Sequence, residues 1–199
     1  MKIIGIACSP RKGESTYYSL KKSFEEIENI YPEIKFEIID LGGFEIKGCR
    51  DCGFCKKELN CSIEDDFIDI IPKLKDAEVK GIIIATPVYL GSMTALCKAF
   101  IERSVMFRRN GFLFRDKAGS VIAVGGVRNG GQELAIQSIH AGMLCHDMVI
   151  VGDGNDTAHY GGACWSGIDS GIKNDLMGLK TALNTVKRTA EMVCKLNKN

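Results

Sequence analysis

Five short runs rich in Ile and Val punctuate this chain: Lys2–Cys8, Ile34–Leu41, Gly81–Thr86, Val121–Gly125 and Met148–Val151. Each is bounded by Gly, Pro or Asp, as expected of parallel strands buried on both faces. Between them lie amphipathic stretches. A helix is expected from about Ser15 to Asn29. Met93, Leu96, Cys97, Phe100 and Ile101 recur at helical spacing, with Lys98, Glu102 and Arg103 assigned to the opposite face. Leu176, Leu179, Leu183, Val186, Ala190 and Val193 predict a long closing helix. Strand–helix alternation of this kind builds a doubly wound parallel sheet. The 199 residues suit a single domain over 1–199, with no internal repeat, low-complexity segment or linker.

Five strands with the first one central correspond to the flavodoxin-like order 2-1-3-4-5, whose ligand sits at the carboxyl ends of the strands. Two long irregular segments interrupt the pattern, Gly42–Glu64 and Gly152–Gly171, and long loops in a compact domain are usually functional or disordered. The formal net charge is +1 and no Lys/Arg run exceeds two residues, which argues against a nucleic-acid partner. The apolar N-terminal run is too short for a signal-peptide core or a membrane span. Nine cysteines without an export signal predict a reducing compartment, so a cytoplasmic location is expected.

Four of those cysteines, Cys49, Cys52, Cys55 and Cys61, fall within thirteen residues after the second strand. A single zinc ion needs four sulfurs converging at about 2.3 Å, normally from two knuckles separated by a longer spacer. Here three cysteines follow one another at spacing three. An iron–sulfur cubane presents several iron atoms, so neighbouring cysteines each reach a different one, and this spacing favours a cluster over zinc. It is not the ferredoxin run, because the fourth cysteine is not followed by Pro. Lys47, Arg50, Lys56 and Lys57 balance Glu45, Asp51, Glu58 and Glu64 around it.

After the first strand, Ser9-Pro10-Arg11-Lys12-Gly13-Glu14-Ser15-Thr16 leads into a helix. Hydroxyls, backbone N–H groups and a helix N-terminus make an anion site, and Arg11 and Lys12 are more than capping requires. The loop lacks Gly-Lys-Ser/Thr and Gly-x-Gly-x-x-Gly, so a phosphate monoester such as that of FMN is the expected ligand. Thr86-Pro87-Val88-Tyr89-Leu90-Gly91-Ser92 follows the third strand, with Pro87 for a rigid turn and Gly91 for close backbone approach. Ser92 or Thr94 is expected to cap the next helix, and Tyr89 to lie near an isoalloxazine ring. Gly125–Gly131, carrying Gly126 and Arg128, makes a third flexible crossing of the same edge.

These motifs resemble the NADPH-dependent FMN reductases, and with the Cys-x2-Cys-x2-Cys-x5-Cys loop the chain is similar to the iron–sulfur flavoproteins of anaerobic archaea and bacteria. The resemblance implies FMN and a [4Fe-4S] cluster on Cys49, Cys52, Cys55 and Cys61. It implies that Ser9, Arg11, Ser15 and Thr16, with Lys12 beside them, hold the FMN phosphate. Pro87, Val88, Tyr89, Leu90 and Gly91 would flank the flavin, with Gly126 and Arg128 on the glycine-rich loop. It also implies an electron carrier fed by a ferredoxin-like donor and assembled as a homodimer or homotetramer. Glu14 departs from the neutral residue common in relatives, and a carboxylate near a phosphate is unfavourable unless it points away.

The remaining cysteines, Cys8, Cys97, Cys145, Cys164 and Cys194, read as small core residues. His140 and His146 suit ordinary surface or core positions. His159 and Trp165 lie in the late loop, where they either cover a flavin, pack a subunit interface or anchor the loop. Two other functions compete with electron transfer: an NAD(P)H-dependent FMN or quinone reductase with a zinc or structural cysteine loop, and a redox sensor. Because the cysteine loop and the phosphate loop leave neighbouring strands, the two cofactors are expected to share the carboxyl end of the subunit.

Overall fold

The computed structural model describes residues 1–198. Its sheet runs β2 (Lys35–Asp40), β1 (Lys2–Ala7), β3 (Val79–Pro87), β4 (Ala118–Gly125) and β5 (Val149–Ile150), all parallel. This is the flavodoxin-like order 2-1-3-4-5 expected from the apolar runs. The central strands are closed to solvent: Ile3, Ile4 and Ile6 of β1 and Ile83 and Ala85 of β3 are fully buried. One face is covered by α1 (Ser15–Ile27) and α6 (Leu176–Leu196), through Leu20, Phe24, Ala182 and Val186. The other carries α2 (Phe67–Leu74), α3 (Ala95–Arg103), α4 (Val105–Arg109) and α5 (Gln132–Leu144), through Phe67, Phe100, Met106 and Ile136.

The late segment departs from expectation. Gly152–Gly171 is not wholly irregular, because Gly162–Trp165 forms a further parallel strand, β6, on the carboxyl half of β4. β5 pairs only with Ala118 and Gly119, whereas β6 pairs with Ile122–Gly125, so the fifth position is filled by two short strands in succession. The stretch between them is anchored by buried Asp153, whose carboxylate accepts from the Thr157 hydroxyl and the His159 amide, both at 2.5 Å. The His159 Nδ1 lies 3.2 Å from the same carboxylate, which makes His159 a loop anchor.

The scattered cysteines divide. Cys8, Cys97 and Cys164 are core residues as expected, and burial raises the Cys8 and Cys164 thiols. Cys194 is half-buried in the last turn of α6 and packs against the core on that face, whereas Cys145, at the C-cap of α5, is exposed and is not a core cysteine. Among the described residues, no helix is long and apolar enough to cross a membrane.

Candidate functional site

All strands point their carboxyl ends one way, so the loops after β1, β3 and β4 meet at one edge. Ser9 is buried at the end of β1, and its Oγ accepts from the Arg11 amide at 3.1 Å. The next turn is held by Asp40 at the end of β2, which accepts from Gly13 N at 2.9 Å and Gly42 N at 3.0 Å. Gly42 has to be glycine, because a Cβ there would lie 2.4 Å from the Lys12 Cα. The helix that follows has Glu14 at its N-cap position in extended conformation with no side-chain cap. Among the described residues no side chain caps the first-turn N–H groups of α1, the condition for anion capture at a helix start. Ser15 is half-buried and Thr16 buried beside them, while Arg11, Lys12 and Glu14 are exposed.

The loop after β3 is tied to both neighbours. Val88 N donates to Val124 O at 2.9 Å. Tyr89 and Ser92 exchange two backbone bonds across Leu90 and Gly91, both in the left-handed region at φ 49° and 75°. Pro87 is buried at the strand end; Tyr89 and Leu90 are exposed, Leu90 completely. Of the two capping candidates, Thr94 caps α3, accepting from Cys97 N at 3.1 Å, and its hydroxyl donates to Cys8 O at 2.8 Å. That bond joins the α3 start to the end of β1.

The glycine-rich loop packs directly on this turn: a Cβ on Gly131 would come 2.9 Å from the Gly91 Cα. Buried Gln132 braces it, its Nε2 donating to Val127 O at 2.7 Å and its Oε1 accepting from Gly130 N at 2.8 Å. Gly126 O accepts from the Trp165 indole at 3.1 Å. The Arg128 guanidinium pairs with Asp175 and lies 5.3 Å from the Trp165 ring centroid, so this cation is bound to the loop after β6. Sequence reading named neither Gln132 nor Asp175.

The cysteines lie elsewhere. From Gly42 the chain runs along α3, and Cys49, Cys52, Cys55 and Cys61 line one concavity with Arg103, Val105, Met106 and Arg109 at the α3–α4 junction. The carboxyl-edge placement expected for them is thus corrected. Nine residue steps separate the Thr94 cap from Arg103, about 13.5 Å at about 1.5 Å per residue. The cause is Arg103. Assigned to the solvent face, it is instead buried, 2% exposed. It follows Phe100 by three positions and Leu96 by seven, which puts it on the apolar face. Its Nη1 donates to Lys47 O at 3.0 Å and Asp65 Oδ2 at 2.7 Å, and its Nη2 to Ile63 O at 3.3 Å and Asp65 Oδ1 at 3.1 Å. One guanidinium so clamps both arms of the cysteine loop. Burial pushes the Asp65 carboxyl up, but Arg103 and the Lys47 N–H outweigh it and hold the group below its ordinary value.

Within the loop, Arg109 donates to Cys55 Sγ at 3.4 Å and to Asp51 Oδ1 at 2.6 Å. Asn110 donates to Cys55 O at 2.8 Å, and Cys49 N donates to Glu102 at 3.2 Å. The Ser62 hydroxyl, 3.1 Å from Cys52 Sγ, holds that thiol below its usual range. Cys55 is buried, Cys49 and Cys61 half-buried and Cys52 exposed. Among the described residues no three His, Cys, Asp or Glu side chains converge on one ion. Four thiols around a shared concavity fit the donor set of an iron–sulfur cluster, and the guanidinium groups beside them offset thiolate charge.

Residues 1–161 match the model of the NADPH-dependent FMN reductase family. An iron–sulfur flavoprotein of Methanocaldococcus jannaschii is 42% identical over 193 residues, 97% of each chain. The iron–sulfur flavoprotein of Methanosarcina thermophila is 38% identical over 201 residues, covering 100% of this chain and 98% of its own. The chain belongs to the iron–sulfur flavoprotein family, within the NADPH-dependent FMN reductases. A flavodoxin, WrbA-like protein from Agrobacterium tumefaciens has a similar structure, with TM-score 0.65 at 15% identity over 98% of both chains. An apo NADH:FMN oxidoreductase gives TM-score 0.62 at 16% identity, over 100% of this chain and 91% of its own. These two likenesses show the fold. Family membership gives this iron–sulfur flavoprotein relative a flavin-dependent redox role.

Proposed function

We propose that the chain is a cytoplasmic electron carrier that binds FMN at the carboxyl edge and one [4Fe-4S] cluster on Cys49, Cys52, Cys55 and Cys61. The observation that carries this reading is the single concavity lined by all four cysteines and closed by Arg103 and Arg109. When bound, FMN exchanges electrons singly or in pairs and the cluster exchanges one at a time, so the two couple pair chemistry to single-electron partners. Ser9, Arg11, Lys12, Ser15 and Thr16 hold the flavin phosphate at the uncapped start of α1. Pro87–Gly91 and Gly126 bound the ring, with Thr94 and Gln132 keeping those loops in register. Arg128 acts through Asp175 and Trp165, fastening the glycine-rich loop.

A ferredoxin-like protein is the proposed donor, and a second copy of the chain the proposed partner at the flavin edge. Exposed Tyr89, Leu90 and Val127 on adjoining loops support that assembly, since apolar groups grouped at one edge favour association. The reading is tested by anaerobic rapid mixing with a reduced ferredoxin, using the wild type and a Cys52→Ala/Cys61→Ala variant that retains FMN. Flavin reduction slows at least about tenfold in the variant, while direct chemical reduction of its flavin persists. Equal rates would remove the cysteine site from the electron path.

A further inference from the structure

At the cysteine concavity two arginines that hold the loop each keep one N–H beyond that task, Nη1 of Arg109 and Nε of Arg103. Arg109 forks: one arm reaches Cys55 Sγ at 3.4 Å, while the other is fixed at 2.6 Å by Asp51. Asp51 sits between Cys49 and Cys52 at φ 49°, a conformation uncommon for a non-glycine residue, and its own N–H donates to Cys49 Sγ at 3.4 Å. The ion pair therefore aims Arg109 at a sulfur. Arg103, with a side chain 1% exposed, uses both terminal nitrogens on the loop, yet its buried Nε–H has no partner among the described residues. A buried, charged donor without an acceptor is costly, and the concavity it lines is walled by thiols.

We propose that Arg109, backed by Arg103, sets the reduction potential of the cysteine-bound cluster by directing guanidinium N–H groups and positive charge at its sulfurs. The inference rests on the cluster reading above and extends it. Reduction adds one electron from a low-potential donor; no cysteine bond breaks, no proton is taken up, and the centre gains one negative charge. A hydrogen bond and a cation beside the sulfurs favour that more negative form and raise the potential. Arg109 is thus a positioning residue for charge, distinct from the ligands.

The test uses anaerobically purified wild type, Arg109→Gln and Arg109→Lys, each assayed for iron, sulfide and FMN and titrated with mediators under EPR detection. All three keep wild-type iron, sulfide and FMN. At the wild-type midpoint, the oxidised-to-reduced ratio of the cluster rises about tenfold in Arg109→Gln, a fall of about 59 mV for a one-electron couple. Arg109→Lys keeps the charge but not the fork, and falls between the two. An unchanged ratio in a fully loaded Arg109→Gln protein overturns the proposal. So does cluster loss from both variants, which would make Arg109 an assembly residue. Wild type devoid of iron and sulfide would defeat the underlying cluster reading instead.

Discussion

Arg11 stands exposed one turn before the uncapped start of α1, with no ion-pair partner among the described residues. A charge-assisted bond to a phosphate is worth about 1.5–3 kcal/mol, reduced by solvent at such a site. Arg11→Ala therefore weakens FMN binding about tenfold in a fluorescence titration while leaving iron content unchanged; an unaltered affinity would take Arg11 out of the site. His146 makes a prediction of a different kind. Its Nε2 lies 2.8 Å from the Ser104 hydroxyl, and its Nδ1 is buried without a partner among the described residues. Burial, helped by Arg108, pushes the imidazole down to about 4. A folded pKa below the unfolded value of about 6.5 means that the unfolded chain binds the extra proton, so stability held above pH 6.5 is lost as pH falls toward 4. Between pH 7 and 5.5 this loss is about 1 kcal/mol. Urea unfolding of His146→Gln shows that increment missing, and an equal loss in both proteins would contradict it. Pairings of this kind are where the sequence was silent: Arg128 and Asp175 are 47 positions apart, and nothing in either neighbourhood announces the bond.

The cysteine loop holds its path along α3 through Arg103. Arg103→Met leaves the Asp65 carboxylate buried and unpaired, which costs about 3–5 kcal/mol. The expected outcome is a lower urea midpoint and rapid proteolysis within residues 42–64, mapped by mass spectrometry; wild-type resistance would show that the clamp is dispensable. The strands β1, β3 and β4 were legible because buried parallel strands leave apolar runs rich in Ile and Val, β2, at the edge, from its Ile and Phe residues, and their common edge followed from topology. β6 was not legible. Gly162-Ala163-Cys164-Trp165 has little intrinsic strand character, and it is a strand because β4 offers it a free carboxyl half. α2 was hidden by Pro72 and its eight-residue length. Arg103 had a readable signal in its helical phase, which its charge overrode. Chemical type identified the four cysteines, but their position depended on contacts with Lys47, Ile63 and Asp65 that lie 38 or more residues from Arg103.

At the scale of the molecule, one sheet carries both proposed centres. Its carboxyl edge gathers the three loops proposed to hold the flavin, and α3 runs from that edge to the cysteine concavity, capped at one end by Thr94 and ending at Arg103. The Thr94–Cys8 bond and the Gly42–Lys12 contact make the two regions parts of one framework rather than independent modules. The central claim, FMN and an iron–sulfur cluster on one chain, is tested most directly by quantifying iron, acid-labile sulfide, zinc and flavin in anaerobically purified protein. The account predicts about four iron, about four sulfide and about one FMN per chain. Stoichiometric zinc with no labile sulfide would contradict it.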